Sequence, residues 1–267
     1  MSVLPIGAAP VARARTINFP ATSSAEQMIA RCRATAELLP KLVNALATQK
    51  ESERGRLFDI TDFGADDREL IGQVLGEGEV GGVVALRSGV VAQVQESVLA
   101  GLWRVRFADA NDVLVADYIE VGAFPEAVNE ACASTAAEIV IGAPPPGTMN
   151  VMPVLAEIQE RMSAHRPGEG NHVITFSLFP MTPEDMTFLQ ETLGVGPVTL
   201  VSRGYGTCRI AATAARGVWS VQFYNSMDVI VLDTLEIGDV PGAARAAEDD
   251  FRDSAERLSE IEDAYFR

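Results

Sequence analysis

A chain that repeats itself must build its fold from two related units, and this chain repeats itself. Trp103 to Pro125 reads WRVRFADANDVLVADYIEVGAFP, and Trp219 to Pro241 reads WSVQFYNSMDVIVLDTLEIGDVP. The offset is a constant 116, and ten of the 23 positions are identical. Unrelated sequence of this composition would agree at about one or two. Upstream, Leu75 to Val80 matches Leu193 to Val198 at offset 118, and Leu39 to Leu42 matches Met152 to Leu155 at offset 113. Between the copies lies IGAPPPGTMN, residues 141–150, whose three successive prolines predict a stiff, extended connector. The expected organisation is a flexible leader over 1–24, a first, degenerate repeat over 25–140, a linker over 141–149 and a second repeat over 150–267.

Each copy carries the same local signals. A helix is expected to begin at Pro40 and at Pro153, where proline suits a first turn. A capping-box match at Ser24 to Gln27 predicts a further helix, running to about Leu39. Short strands are expected over Arg56 to Ile60 and His172 to Leu178. Thr182-Pro183-Glu184-Asp185 supplies an N-cap, a first-turn proline and two carboxylates at the positive end of a helix, and Gly194 and Gly76 mark helix ends. Trp219, Val221 and Phe223 then alternate with polar residues, as a half-buried strand does, and Trp103, Val105 and Phe107 repeat the pattern. Tyr224 to Met227 reads as a hairpin loop leading into the strand Asp228 to Leu232. A last helix is expected over Gly242 to Arg267, with Phe251, Leu258, Ile261 and Tyr265 near one face. The fold class that follows is α+β: a tandem duplication of an α-β-α-(antiparallel β)-α module.

Composition narrows the function. Lys and Arg number 21 against 37 Asp and Glu, a formal charge of −16. That balance argues against nucleic-acid binding and against an anionic membrane surface. No apolar run approaches the roughly 18–20 residues that span a bilayer. The start of the chain, with Arg13 and Arg15 following a broken apolar stretch, lacks the order of a secretory signal, so a cytoplasmic location is expected. The three cysteines, Cys32, Cys132 and Cys208, are scattered and include no C-x-x-C, which suits a reducing compartment.

Motifs for chemistry are sparse. Gly76 to Gly81 fits G-x-G-x-x-G by letter, but it follows a helix and opens a strand, the reverse of a dinucleotide site. His165 and His172 flank a turn-rich loop with Glu169, and either could join Cys208 in handling a metal or an iron–sulfur cluster. No nucleophile elbow occurs, so the chain reads as a non-enzyme with no cofactor and no resident metal. The most distinctive stretch is Ser202-Arg203-Gly204-Tyr205-Gly206-Thr207-Cys208-Arg209-Ile210, a glycine-flanked turn with Tyr205 at its tip. Its plain reading is a hairpin with Cys208 in the core. Its functional reading is a partner-binding edge of Arg203, Tyr205, Cys208, Arg209, Asn225 and Ser226, since Tyr and Arg are favoured at interface centres. Copy one has Arg87-Ser88-Gly89-Val90-Val91-Ala92 there, which points to copy two as the functional half.

The same stretch, with Val218 to Ser226, Asp233-Thr234-Leu235-Glu236 and Pro241, resembles the C-terminal conserved region of the hydrogenase expression/formation proteins called HupH or HyaF. Ala247 to Asp250 and Asp253 to Leu258 are similar to that family's closing helix, and Thr207 stands where many members carry Asn. The resemblance covers nearly all of copy two and, more loosely, copy one. It implies a cytoplasmic accessory protein for maturation of uptake [NiFe] hydrogenases, a chaperone-like binder rather than an enzyme. The implied partners are the iron–sulfur small-subunit precursor and other hydrogenase accessory proteins, with no nucleic acid and no membrane insertion.

Overall fold

A computed structural model describes residues 29, 31–204 and 206–266. Ser24 to Gln27, with the expected capping box, and the leader over 1–24 lie outside them. The chain order is α1 (Arg33–Thr48), β1 (Arg56–Asp59), α2 (Ala65–Leu75), β2 (Val80–Ala85), β3 (Val91–Glu96), β4 (Leu102–Ala108), β5 (Leu114–Val121) and α3 (Glu126–Ala133). Copy two follows with α4 (Val151–Ala164), β6 (His172–Thr175), a 3-10 turn (Phe176–Leu178), α5 (Pro183–Leu193), β7 (Val198–Ser202), β8 (Thr207–Ala212), β9 (Val218–Tyr224) and β10 (Ile230–Ile237). A second 3-10 turn (Gly242–Ala244) and α6 (Glu248–Tyr265) close the chain. The two copies share one order of elements until their last helices, as the α+β duplication requires.

All ten strands form one antiparallel sheet in the order β1-β5-β4-β3-β2-β7-β8-β9-β10-β6. That order is palindromic under the repeat: β1 corresponds to β6, β5 to β10, and so inward to β2 and β7. The halves meet edge to edge, with Val80 opposite Ser202, Gly82 opposite Leu200 and Val84 opposite Val198. Exchanging equivalent residues at offset 118 returns the same pairs, so a pseudo-two-fold axis passes through Gly82 and Leu200. A side chain at Gly82 would run into the Thr199 carbonyl, so the close approach there needs glycine.

Side-chain alternation fixes what covers each face. Val84, Ala92, Val94, Trp103 and Val105 of copy one and Val198, Leu200, Ile210, Trp219 and Val221 of copy two form one continuous core across the seam, under Ala127, Val128 and Ala131 of α3 and Ala244. On the opposite face the core lies only at the two ends. Leu102, Ile119 and Val121 pack against α1 and α2, and Ile174, Val218, Leu235 and Ile237 against α4 and α5. Between those helical ends the middle strands present Gln93, Gln95, Arg106, Thr199, Arg209 and Gln222, all half-buried or exposed.

The copies also reach across one another. Phe251, Ala255 and Leu258 of α6 bury against Leu38, Leu39 and Leu42 of α1 in copy one. In return Ile139, just after copy one's last helix, is buried with Val151, Val154 and Leu155 of α4. Residues 141–149 hold no helix or strand.

Four expectations need correction. The last helix begins at Glu248 rather than Gly242, where a 3-10 turn stands instead, and the strand after the Tyr224 to Met227 loop begins at Ile230 rather than Asp228, which takes φ +55° in the turn. Pro40 does not open a helix but sits inside α1, which runs from Arg33 to Thr48. The proline forfeits one backbone bond, and burial of Leu38, Leu39, Leu42 and Leu46 on one stripe outweighs that loss. β6 stops at Thr175 rather than Leu178, because the chain turns into the 3-10 segment.

Candidate functional site

The residues singled out in copy two gather at one end of β7 to β10, where two hairpin loops, Arg203 to Gly206 beside the seam and Asn225 to Val229 further out, lie at the same margin of the sheet. Arg203 is exposed, and its backbone N–H donates to the Glu79 carbonyl at 3.0 Å, tying the first loop to copy one. A side chain at Gly204 would meet the Glu79 carboxylate, and Gly206 adopts φ +97°. Tyr205 lies outside the described residues. Asn225 is spent on its own loop: its side-chain oxygen accepts the N–H of Met227 at 2.9 Å and of Val229 at 3.1 Å. Ser226 is exposed at the tip.

Cys208 does not belong with them. It is 4% exposed, in the seam-spanning core beside Leu200 and Ile210. Burial, with a smaller contribution from the Glu236 charge, pushes its thiol up to about 11. The sulfur is protonated at neutral pH and out of a partner's reach, so neither a thiolate chemistry nor a binding contact is open to it. Cys208 and His172 are not neighbours. His172 pairs with Ile237 at the outer edge, whereas Cys208 lies three strands inward and five residues further along β9's register. At ~4.8 Å per strand and ~3.4 Å per residue, their backbones are about 22 Å apart. Both histidines are engaged elsewhere: His165 Nε2 lies 3.1 Å from Asp239 Oδ1, and His172 Nε2 lies 2.7 Å from Glu157 Oε1. Among the described residues no group of three or more His, Cys, Asp or Glu is arranged to hold a metal.

Comparison of the copies shows what is particular to copy two. In copy one the open face carries Gln93, Arg106 and Asp117 side by side on β3, β4 and β5. That row is saturated: Arg106 donates to Gln93 at 2.9 Å, and Arg104 grips the buried Asp117 with two bonds of 2.7 and 3.1 Å. The equivalent row in copy two is Arg209, Gln222 and Asp233, with Ser220 where Arg104 stands. Arg209 is exposed, and its guanidinium has no partner among the described residues. Asp233 has lost its arginine. Burial raises its carboxyl above the usual range, and a hydrogen bond from Gln222 opposes that rise. Gln222 is held in turn by the Tyr224 hydroxyl, which donates to its Oε1 at 2.9 Å.

Sequence reasoning missed a second feature of this end. Met227, Val229, Ile230, Val231 and Leu232 are all exposed, Met227 by 76% and Val231 by 60%. Leu178 and Phe179, in and just after the 3-10 turn, add to the exposed apolar surface of this half. The available signal was the unalternated run Val-Ile-Val-Leu, which is too apolar for one wet face and lacks anything in the chain to cover both.

The family model described as HupH hydrogenase expression protein, C-terminal conserved region, matches twice, over residues 33–138 and 148–265. A hydrogenase expression/formation protein HupH of Rhizobium leguminosarum bv. viciae is 64% identical over all of this chain and 95% of its own length. Hydrogenase expression/formation protein HoxQ of Cupriavidus necator is 41% identical, covering 84% of this chain and 79% of that protein. The hydrogenase-1 operon protein HyaF of Escherichia coli is 33% identical, covering 76% of this chain and 71% of that one.

Proposed function

The chain belongs to the HupH family of hydrogenase expression proteins, and on that premise we propose that it is a non-catalytic accessory factor in maturation of an uptake [NiFe] hydrogenase. It binds the precursor of the iron–sulfur small subunit, chaperone-like, together with other hydrogenase accessory proteins in the cytoplasm. The observation that carries this reading is the contrast between the halves: copy one closes its polar row on itself, and in copy two Arg209 is exposed with no partner among the described residues. An unpaired surface cation on a half that also exposes the apolar start of β10 suits contact with another polypeptide better than turnover of a small molecule. The buried, protonated Cys208 and the histidines occupied by Asp239 and Glu157 leave little from which to build a catalytic site. No helix among the described residues is long and apolar enough to cross a membrane.

The test is co-purification from cells expressing the hydrogenase. The small-subunit precursor is expected with the wild-type chain, and Arg209→Glu is expected to reduce its recovery by about tenfold, as for an interface hot spot. Recovery of other hydrogenase components without the small subunit would overturn the choice of client.

A further inference from the structure

We infer that the outer edge of β10, from Val229 to Asp233, is a docking edge for an extended segment of another protein, an apolar run bracketed by Lys or Arg. The inference rests on the client-binding reading and names the surface and its chemistry. β6 pairs with β10 only from Thr234 to Ile237, so below Thr234 the outward backbone groups of β10 face no strand among the described residues. The chain beyond β6 curls into the Phe176–Leu178 turn beside β10, and no backbone hydrogen bond joins that turn to residues 230–233 among the described residues. Copy one differs at one end of the equivalent run: Val113, Leu114 and Val115 are exposed and lie beyond the β1 pairing in the same way, but Asp117, the equivalent of Asp233, is paired with Arg104 and tied to the segment after β1. The Ile60 N–H donates to the Asp117 carbonyl at 2.9 Å, and the Asp117 N–H donates to the Thr61 hydroxyl at 3.0 Å.

An open strand edge is recognised by another strand, because only an extended backbone matches its spacing of donors and acceptors. The flanking charges decide which strand. In the register that overlaps residues 228–233 fully, antiparallel pairing of this run with a second copy of itself would bring the turn residue Asp228 of each copy to the end of the strand where Asp233 of the other lies. Like charges brought together at both ends oppose such pairing, and two bodies of formal charge −16 repel at longer range. A segment with cations at those two places turns both repulsions into attractions, and Val229, Ile230, Val231 and Leu232 offer its apolar side chains cover.

The experiment uses the full chain and two synthetic ten-residue peptides sharing the core Val-Thr-Val-Ile-Val-Thr, one with two lysines at each end and one with two glutamates. The lysine peptide is expected to slow amide exchange at residues 229–233 and to bind about tenfold more tightly than the glutamate peptide, with the advantage shrinking as salt rises. Val231→Lys should abolish the protection, and Val115→Lys, at the equivalent place in copy one, should leave it intact. Val229→Lys repeats the test at a second exposed residue, and matched melting temperatures establish that the variants are folded. Equal binding of the two peptides, or protection at another strand, would overturn the inference; so would a concentration-dependent dimer of the chain protected at 229–233. Precursor capture undiminished in Val231→Lys would overturn the edge and leave the client reading standing. Absence of the precursor from the wild-type chain, with lysine-peptide protection intact, would overturn the client reading and support the edge.

Discussion

Glu96 and Glu120 sit on the crowded face of the sheet in copy one, and burial raises each carboxyl from 4.5 to about 7. Glu96 is further raised by the Glu79 and Asp250 charges, while backbone N–H donors from Gly101 and Val80 hold it down in part. Glu120 accepts the Glu126 N–H at 2.8 Å. A carboxyl whose folded pKa exceeds its unfolded value stabilises the fold in its protonated form, fully below about 4.5, and loses that contribution as pH rises through about 7. Stability of the wild-type chain should therefore fall between pH 5 and 8. Glu96→Gln and Glu120→Gln should each flatten that fall, by at most about 3 kcal/mol at the upper end, in urea unfolding followed across the pH range. None of this was legible in the sequence. Glu120 stands between Ile119 and Val121 and Glu96 between Gln95 and Ser97, and only the register opposite Trp103 shows that both point inward.

Among the elements, α5 was the most legible, because its start is written in local chemistry. Thr182 accepts the Asp185 N–H and Asp185 accepts the Thr182 N–H, both at 3.0 Å, as the Thr-Pro-Glu-Asp string implies. The string does not reveal that the same carboxylate accepts N–H bonds from Met149, Asn150 and Val151, across 34 to 36 residues of chain. Burial works against its ionisation, yet those four backbone donors hold it at about 2. Asp185 thus fastens the connector and the start of α4 to the start of α5. Asp185→Asn should lower the melting temperature at neutral pH, and the difference from wild type should vanish as pH falls from about 4 towards 2. β10 was legible as a strand but not as an edge. Its burial depends on how far β6 runs beside it, and that is set by the turn at Phe176 rather than by any residue of β10.

At the scale of the whole molecule, the duplication predicted two like topologies, and the palindromic sheet supplies them. The exchange of closing segments was out of reach of sequence, because the periodicity of α6 shows that it has an apolar stripe and not which helix receives it. Since Phe251, Ala255 and Leu258 complete the core of copy one, neither 33–138 nor 148–265 expressed alone should unfold cooperatively, and mixing the two should restore a single transition by circular dichroism. The pairing of Gly82 with Leu200 adds a constraint of a different kind. Two identical half-chains would have to place one residue against itself at that spot, either two leucines in collision or two glycines with a void between them. Joining the halves in one polypeptide lets a large side chain on one side be answered by its absence on the other, so the molecule has a fit that no symmetric pair of separate halves could reproduce.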